Sequence, residues 1–232
     1  STTDKAMARF AGADAWIEQY FLNSPDDERE EFTSAELEDL ARTHRALAEI
    51  RAPKTSVVAA RNDDYNTTLY VATDDMPHIV SSLTAYLSAH FGGFLAIFHP
   101  IFLAERNTDG KLISLRGTGT RANLASGDTA AVGMPSLQLS EGAPEGSTVT
   151  IESWIAIRLT RYLNEDDLRL LEHDVRRVLA DVRACYTDLE GMVTAVFDIS
   201  QAMYELRGAT LGHGEESYAA NPRGVEPASR VE

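Results

Sequence analysis

Two spacings of apolar residues alternate along this chain and divide it into helical and extended stretches. Over residues 6–22, Phe10, Trp16, Ile17, Tyr20 and Phe21 fall on one helical face. The segment SPDDEREEF then breaks the pattern with proline and acid. Thr33-Ser-Ala-Glu36 spells a capping box, in which each end satisfies the other's free backbone donor, and it opens a second helix. The stripe of that helix is Leu37, Leu40, Ala41, His44, Leu47 and Ala48. It stops before Pro53, which disfavours helical geometry at Ala52.

From Thr55 the period changes to two. TSVVAARN and TTLYVATD are short, β-branched and separated by NDDYN, which predicts a hairpin. After the stretch TDDMPHIVSSLTAYLSAHF, which hands a strand over to a helix, GGFLAIFHPIFLAERN reads as a long strand. Pro100 removes one ladder donor within it and predicts a bulge or an edge position. The turn at Asp109-Gly110 then leads back into KLISL. Residues 116–146 are rich in Gly, Ser, Thr and Ala and keep no period, so they read as an irregular insertion.

The clearest strand follows. Val149, Ile151, Ser153, Ile155, Ile157 and Leu159 face one way, while Thr150, Glu152, Trp154, Ala156 and Arg158 face the other. Asn164 then caps a helix whose apolar positions Leu168, Leu171, Val175, Val178, Leu179, Val182, Cys185, Tyr186 and Leu189 recur at three and four. The pattern carries on past Gly191 through Val196 and Met203. A helix of that length outgrows a small sheet and leans on something else at its far end. From residue 207 the chain is polar and aperiodic, a linker or tail.

Charge narrows the classes of function. With 21 Lys and Arg against 36 Asp and Glu, the net charge of −15 opposes a phosphate backbone, so no nucleic-acid partner is expected. The single cysteine, Cys185, permits no intrachain disulfide and fits a reducing cytoplasm. The longest apolar run is broken by His99 and Pro100 and is too short for a bilayer, so a soluble protein is expected, with no membrane partner.

Several groups invite a chemical reading. At Asp74-Asp75-Met76-Pro77-His78 two readings stand open. In one, Asp75 caps the helix and Pro77 sits in its first turn. In the other, free N–H groups near Met76 to His78 hold an amino-acid carboxylate, and Asp74 or Asp75 pairs with its ammonium. GTGTRA at 117–122 matches the dinucleotide fingerprint in letters, with Gly119 at its second glycine, but NLASGDTAAVGMP after it carries no helical stripe. No cofactor-binding residues are therefore assigned. The six histidines form no tight ligand pair at zinc-site spacing, and His99 reads as a satisfied core residue. No metal site and no catalytic residues are expected. Trp154, opposite the apolar row, is expected to be covered at an interface by another chain, or else by the N-terminal helices of its own.

Three pieces in order carry a family resemblance: YVATDDMPHIVSSLTAYL, then FLAIFHPIFL with DGKL, then ESWIAIRLTRYL leading to LEHDVRRVLADVRACY. Together they resemble the N-terminal region of the large bacterial NAD-specific glutamate dehydrogenases. The resemblance implies an α+β fold of ACT type, a βαββαβ mostly antiparallel sheet with helices on one face. A helical piece precedes it at 1–52, the domain spans 53–190, and a helix extension and tail follow at 191–232. It implies a regulatory and oligomerisation role in a cytoplasmic enzyme, with NAD belonging to downstream domains of the same polypeptide rather than to this segment. The partners implied are those domains, further copies of the chain and a free amino acid. Amino-acid-binding corners of that fold carry a glycine after the proline, where this chain has His78, which favours a corner kept for packing. A ligand-free docking scaffold is the alternative function, and a standalone amino-acid-binding protein is a third.

Overall fold

The computed structural model describes residues 14–117 and 138–218. Its sheet is built around the strand that alternation marks most clearly. Strands β1 (Val57–Asn62), β2 (Thr67–Asp74), β3 (Phe94–Phe98), β4 (Ile101–Arg106), β5 (Leu112–Gly117) and β6 (Thr148–Leu159) form one sheet in the order β1-β2-β6-β4-β5. All the pairings described are antiparallel. Among the described residues five helices accompany them: α1 (Ala15–Phe21), α2 (Asp26–Glu30), α3 (Ser34–Leu47), α4 (Ile79–Phe91) and α5 (Glu165–Tyr218). The fold is α+β with a mostly antiparallel sheet, as the sequence implies.

The 92–107 stretch is two strands, not one. β3 and β4 lie end to end along the same side of β6, interrupted at His99-Pro100. Pro100 has no N–H to give, but its carbonyl accepts from Trp154 N at 3.0 Å, so the ladder crosses the break. With α4 between β2 and β3, and β6 inserted between those strands, the unit is a split βαβ. The edge beside β2 is filled by β1, from upstream, rather than by a strand after α5. The outer edge of β1 is closed in turn by α5: Glu172 accepts from Ala60 N at 2.9 Å, and Arg176 donates to Val58 O at 2.7 Å.

Alternation sends the two sets of side chains into two cores. Tyr70, Ala72, Phe98, Phe102, Trp154 and Ala156 pack against Trp16, Ile17, Tyr20, Phe21, Leu37 and Leu40 of the N-terminal helices. The interleaved Leu69, Val71, Ile155 and Ile157 are fully buried on the opposite face. There α4 buries Ile79, Leu83, Leu87 and Phe91, α5 buries Leu171, Val175 and Leu179, and Tyr86 ties the two helices through Asp174 at 2.6 Å. The N-terminal helical piece is thus a second cover on the sheet.

Several expectations change. SPDDEREEF contains the short helix α2, started by Pro25 and carrying Arg29 paired to Asp26. The first helix is described only from Ala15. Of the two covers expected for Trp154 the structure shows the one from its own chain: it is fully buried there, against His44 and Phe102 at ring distances of 4.9 and 5.3 Å. The N-terminal helices supply its cover. Cys185, placed by spacing on the apolar stripe, is exposed, because the buried stripe of α5 ends at Leu179. Residues to Arg183 form one compact unit and those from Ala184 a second, which is described only as the continuing helix. Among the described residues no helix is long and apolar enough to cross a membrane.

The capping box forms as spelled: Thr33 Oγ1 accepts from Glu36 N at 3.2 Å, and Thr33 N donates to Glu36 Oε2 at 2.7 Å. Within the same helix, His44 plugs the first core. Its Nε2 lies 3.0 Å from Val71 O, which can only accept, so Nε2 carries the hydrogen. Nδ1 then accepts from the Tyr20 hydroxyl at 2.6 Å.

Burial pushes the His44 imidazole down to about 3, against the hydrogen bond to Val71, which acts the other way. The unfolded chain takes up a proton below pH 6.5 that the folded chain refuses, so this part of the stability is complete above pH 6.5 and falls away toward pH 3. We expect unfolding free energy to decline from pH 6.5 down to about pH 5, by at most ~1.4 kcal/mol per pH unit. Urea titrations of wild type and His44→Phe check this. The variant should be less stable and show a shallower slope over that window.

Candidate functional site

The three motifs behind the family resemblance, separated in sequence, meet at one end of the sheet. Register places Asp74 opposite Glu152 and Thr73 opposite Ser153 on β2 and β6, and pairs Ile101 with Ser153 on β4. TDDMP, the His-Pro step and the Glu-Ser step are therefore neighbours, and their polar groups bond to one another.

Glu152 is the hub. It is fully buried on the face that carries Trp154. Its Oε1 accepts from Arg51 Nη2 and Arg106 Nε, both at 2.7 Å, and from Arg51 Nε at 3.1 Å. Its Oε2 accepts from Trp154 Nε1 at 2.9 Å and Arg106 Nη2 at 3.1 Å. Burial alone would raise the Glu152 carboxyl, but the Arg106 hydrogen bond, the two guanidinium charges and the indole together hold it below the usual range.

The arginines spend their remaining donors on backbone. Arg106 Nη2 donates to Ala48 O at 3.0 Å, and its Nη1 to Gly110 O at 2.8 Å and Glu49 O at 3.3 Å, so a cation closes the C-terminus of α3. Arg51 Nη1 donates to Thr55 O at 2.8 Å. The segment carrying Arg51 lies on the β4–β5 turn, where Arg51 N donates to Gly110 O at 3.0 Å. Gly110 has φ +77°, and a β-carbon there would run into the Arg51 carbonyl, so both its conformation and its neighbour require glycine.

Asp74, at the end of β2, is reached from both sides of the sheet. Arg51 Nη2 binds Oδ1 at 2.9 Å, and Arg183 Nη1 of α5 binds Oδ2 at 2.5 Å. Arg183 also donates to Thr73 Oγ1 at 3.1 Å. Both Asp74 oxygens thus already have a guanidinium partner.

Asp75 is not the helix cap that the spelling suggests. Its Oδ1 accepts from Ser153 Oγ at 2.6 Å, and its N–H donates to Ile151 O at 3.0 Å. Met76 is buried and Pro77 exposed. The cap position falls to His78, with φ 65°, and no side chain caps α4. His78 therefore adopts the left-handed geometry that glycine takes most easily. Its carbonyl accepts from Ser82 N and Ser81 Oγ, both at 3.0 Å.

Asp75, Ser153 and His99 form a linked trio, with His99 Nε2 3.0 Å from Ser153 Oγ. The wiring differs from that of a hydrolase, where histidine stands between serine and carboxylate and takes the serine proton. Here the serine stands in the middle and donates a hydrogen bond to the carboxylate, so the order of the three groups is not that of a hydrolase triad. Of the glycine motif at 117–122, only Gly117 is described, as the last residue of β5 under the Gln19 side chain; 118–122 lie outside the described residues. Among the described residues no group of three or more His, Cys, Asp or Glu is gathered to hold a metal ion.

Arg51, Arg106, Arg183 and Ser153 escape a residue-by-residue reading. One signal was present: Glu152 and Trp154 share a strand face, and a carboxylate beside a buried tryptophan requires a buried cation. Nothing local marks Arg51, which comes from a connecting segment, as that cation.

In comparison with protein families, residues 16–175 match the model described as "Glutamate dehydrogenase, ACT1 domain". The match takes in α1 to α3 as well as the sheet. No solved structure matches the chain.

The geometry at His78 carries a stability prediction. A left-handed residue with a β-carbon costs about 1–2 kcal/mol, and glycine gives back roughly 0.5–1 kcal/mol through its freer unfolded chain. We expect His78→Gly to gain roughly 0.5–1 kcal/mol in urea unfolding. A net loss would mean that the imidazole itself stabilises the corner.

Proposed function

The chain belongs to the glutamate dehydrogenase ACT1-domain family, and from that premise we propose that it is the regulatory and assembling N-terminal region of an NAD-dependent glutamate dehydrogenase. The observation that carries this reading is the family match over residues 16–175, joined to a motif cluster whose polar groups are committed to the fold. Oxidative deamination and the NAD site then belong to other domains of the same cytoplasmic polypeptide. The described lysines, Lys54 and Lys111, are exposed and converge on no buried carboxylate that would make a deaminating site.

The corner itself favours packing over amino-acid sensing. Asp74 is paired twice, Asp75 is taken by Ser153, and the glycine that would admit a ligand is replaced by His78. Assembly is supported by the second unit, where Met192 and Ile199 are 65% and 60% exposed. Seven residues apart, they share one helical face, which suits docking to another domain or another copy.

Two measurements on the purified chain test this. Incubated with glutamate and NAD, it should produce no NADH absorbance, and sustained protein-dependent reduction would contradict the non-catalytic reading. Light scattering should give a mass above one chain, reduced by Ile199→Glu. A wild type that stays monomeric at high concentration would contradict the assembling role.

A further inference from the structure

A second buried carboxylate lies on the opposite face of the sheet from Glu152, and its two oxygens are served unequally. Glu105 of β4 is fully buried. Its Oε2 accepts three hydrogen bonds, from Ser140 Oγ at 2.5 Å and from Ser140 N and Ser114 Oγ, both at 3.1 Å. Its Oε1 is buried and has no hydrogen-bond partner among the described residues.

The charge of Glu105 is as poorly matched as its oxygens. The Ser140 hydroxyl, opposed by burial and joined by Ser140 N, Ser114 and the charge of Arg116, holds the carboxyl below its ordinary range. Glu105 is therefore ionised at neutral pH. No ion pair among the described residues includes it. Arg116 gives Nη2 to Gln138 O at 2.8 Å. Neutral donors orient a buried carboxylate without cancelling its charge, and a charge so enclosed calls for a cation in contact with it.

A second unserved oxygen lies on the same side. Register sets Glu105 opposite Val149, and Ser147, two residues before Val149, faces the same way. Ser147 is buried, and its Oγ also lacks a hydrogen-bond partner among the described residues. Between Ser140 and Ser147 the chain makes two turns, closed by Ala143 N to Ser140 O and Ser147 N to Pro144 O, both at 3.1 Å. One end of this segment is thus held on Glu105 and the other enters β6. A carboxylate oxygen and a hydroxyl are hard donors, suited to a cation that prefers oxygen. No group of three or more His, Cys, Asp or Glu gathers among the described residues, and a single carboxylate suits a single positive charge.

We propose that Glu105 Oε1 and Ser147 Oγ bind a small monovalent cation, of the sodium or potassium type, between the 140–147 segment and the sheet. The ion neutralises the buried carboxylate and pins both ends of the segment, so its occupancy sets how firmly these turns rest on β4 and β6. The site shares no residue with the TDDMP corner. It does not depend on the corner's role or on the assembling role of the chain.

The test melts the full chain in the chlorides of sodium, potassium, calcium and choline, mixed to one constant ionic strength so that screening is equal throughout. Sodium or potassium should raise the melting temperature saturably over choline, by roughly 3–6 °C at about ten times the dissociation constant. Glu105→Gln should abolish the rise. Ser147→Ala, which removes only a buried hydroxyl, should weaken binding roughly tenfold while melting like wild type in choline. The proposal is overturned if wild type melts alike in sodium, potassium and choline, which would leave Oε1 to water alone. It is overturned equally if the rise survives unchanged in both variants, which would put the cation elsewhere on this acidic chain. A rise with calcium that neither sodium nor potassium reproduces would overturn the monovalent assignment.

Discussion

A carboxylate without solvent access sets the terms for this structure. Glu152 is carried on the central strand, on the face that also buries Trp154, and an ionised group there is tolerated only with full pairing. Arg51 and Arg106 meet that demand, and in doing so they bring the segment after α3 onto the β4–β5 turn. The N-terminal helices, which could otherwise rest on the sheet through apolar contact alone, are thereby fixed in register with it. Hydrophobic burial supplies the larger share of stability, while the ion cluster specifies which arrangement is adopted.

The same cluster explains why motifs far apart in sequence belong together. Thr73 and Asp74 receive Arg183 from α5, Asp75 receives Ser153, and Ser153 receives His99 beside the proline that divides β3 from β4. Each motif thus contributes a partner for another. In a member of the glutamate dehydrogenase ACT1 family, this places the conspicuous polar residues in the service of architecture.

Much of the fold was legible because it rests on local rules. The capping box at Thr33, the hairpin of β1 and β2, the Asp109-Gly110 turn and the alternation of β6 all follow from spacing and turn chemistry. What was illegible is non-local. The cover over Trp154 comes from helices more than a hundred residues upstream. The cations for Glu152 come from a connecting segment and another strand. At the corner, spelling pointed to Asp75 as a cap, whereas the bond to Ser153 draws that carboxylate to β6 and leaves the cap position to His78 in a left-handed conformation. Residues 118–137, which hold most of the irregular insertion and the rest of the glycine motif, lie outside the described residues.

The central claim is that Glu152 and Arg51 act as one unit in holding the N-terminal layer to the sheet. A double-mutant cycle of Glu152→Gln and Arg51→Met, followed by urea unfolding, tests it most directly. Breaking one side of a buried pair costs about 3–5 kcal/mol, much of it from the charge left behind. The double variant should therefore be far less destabilised than the sum of the singles, with a coupling energy of roughly 2–3 kcal/mol. Additive losses within about 0.5 kcal/mol would show that the two residues contribute independently and would contradict the account.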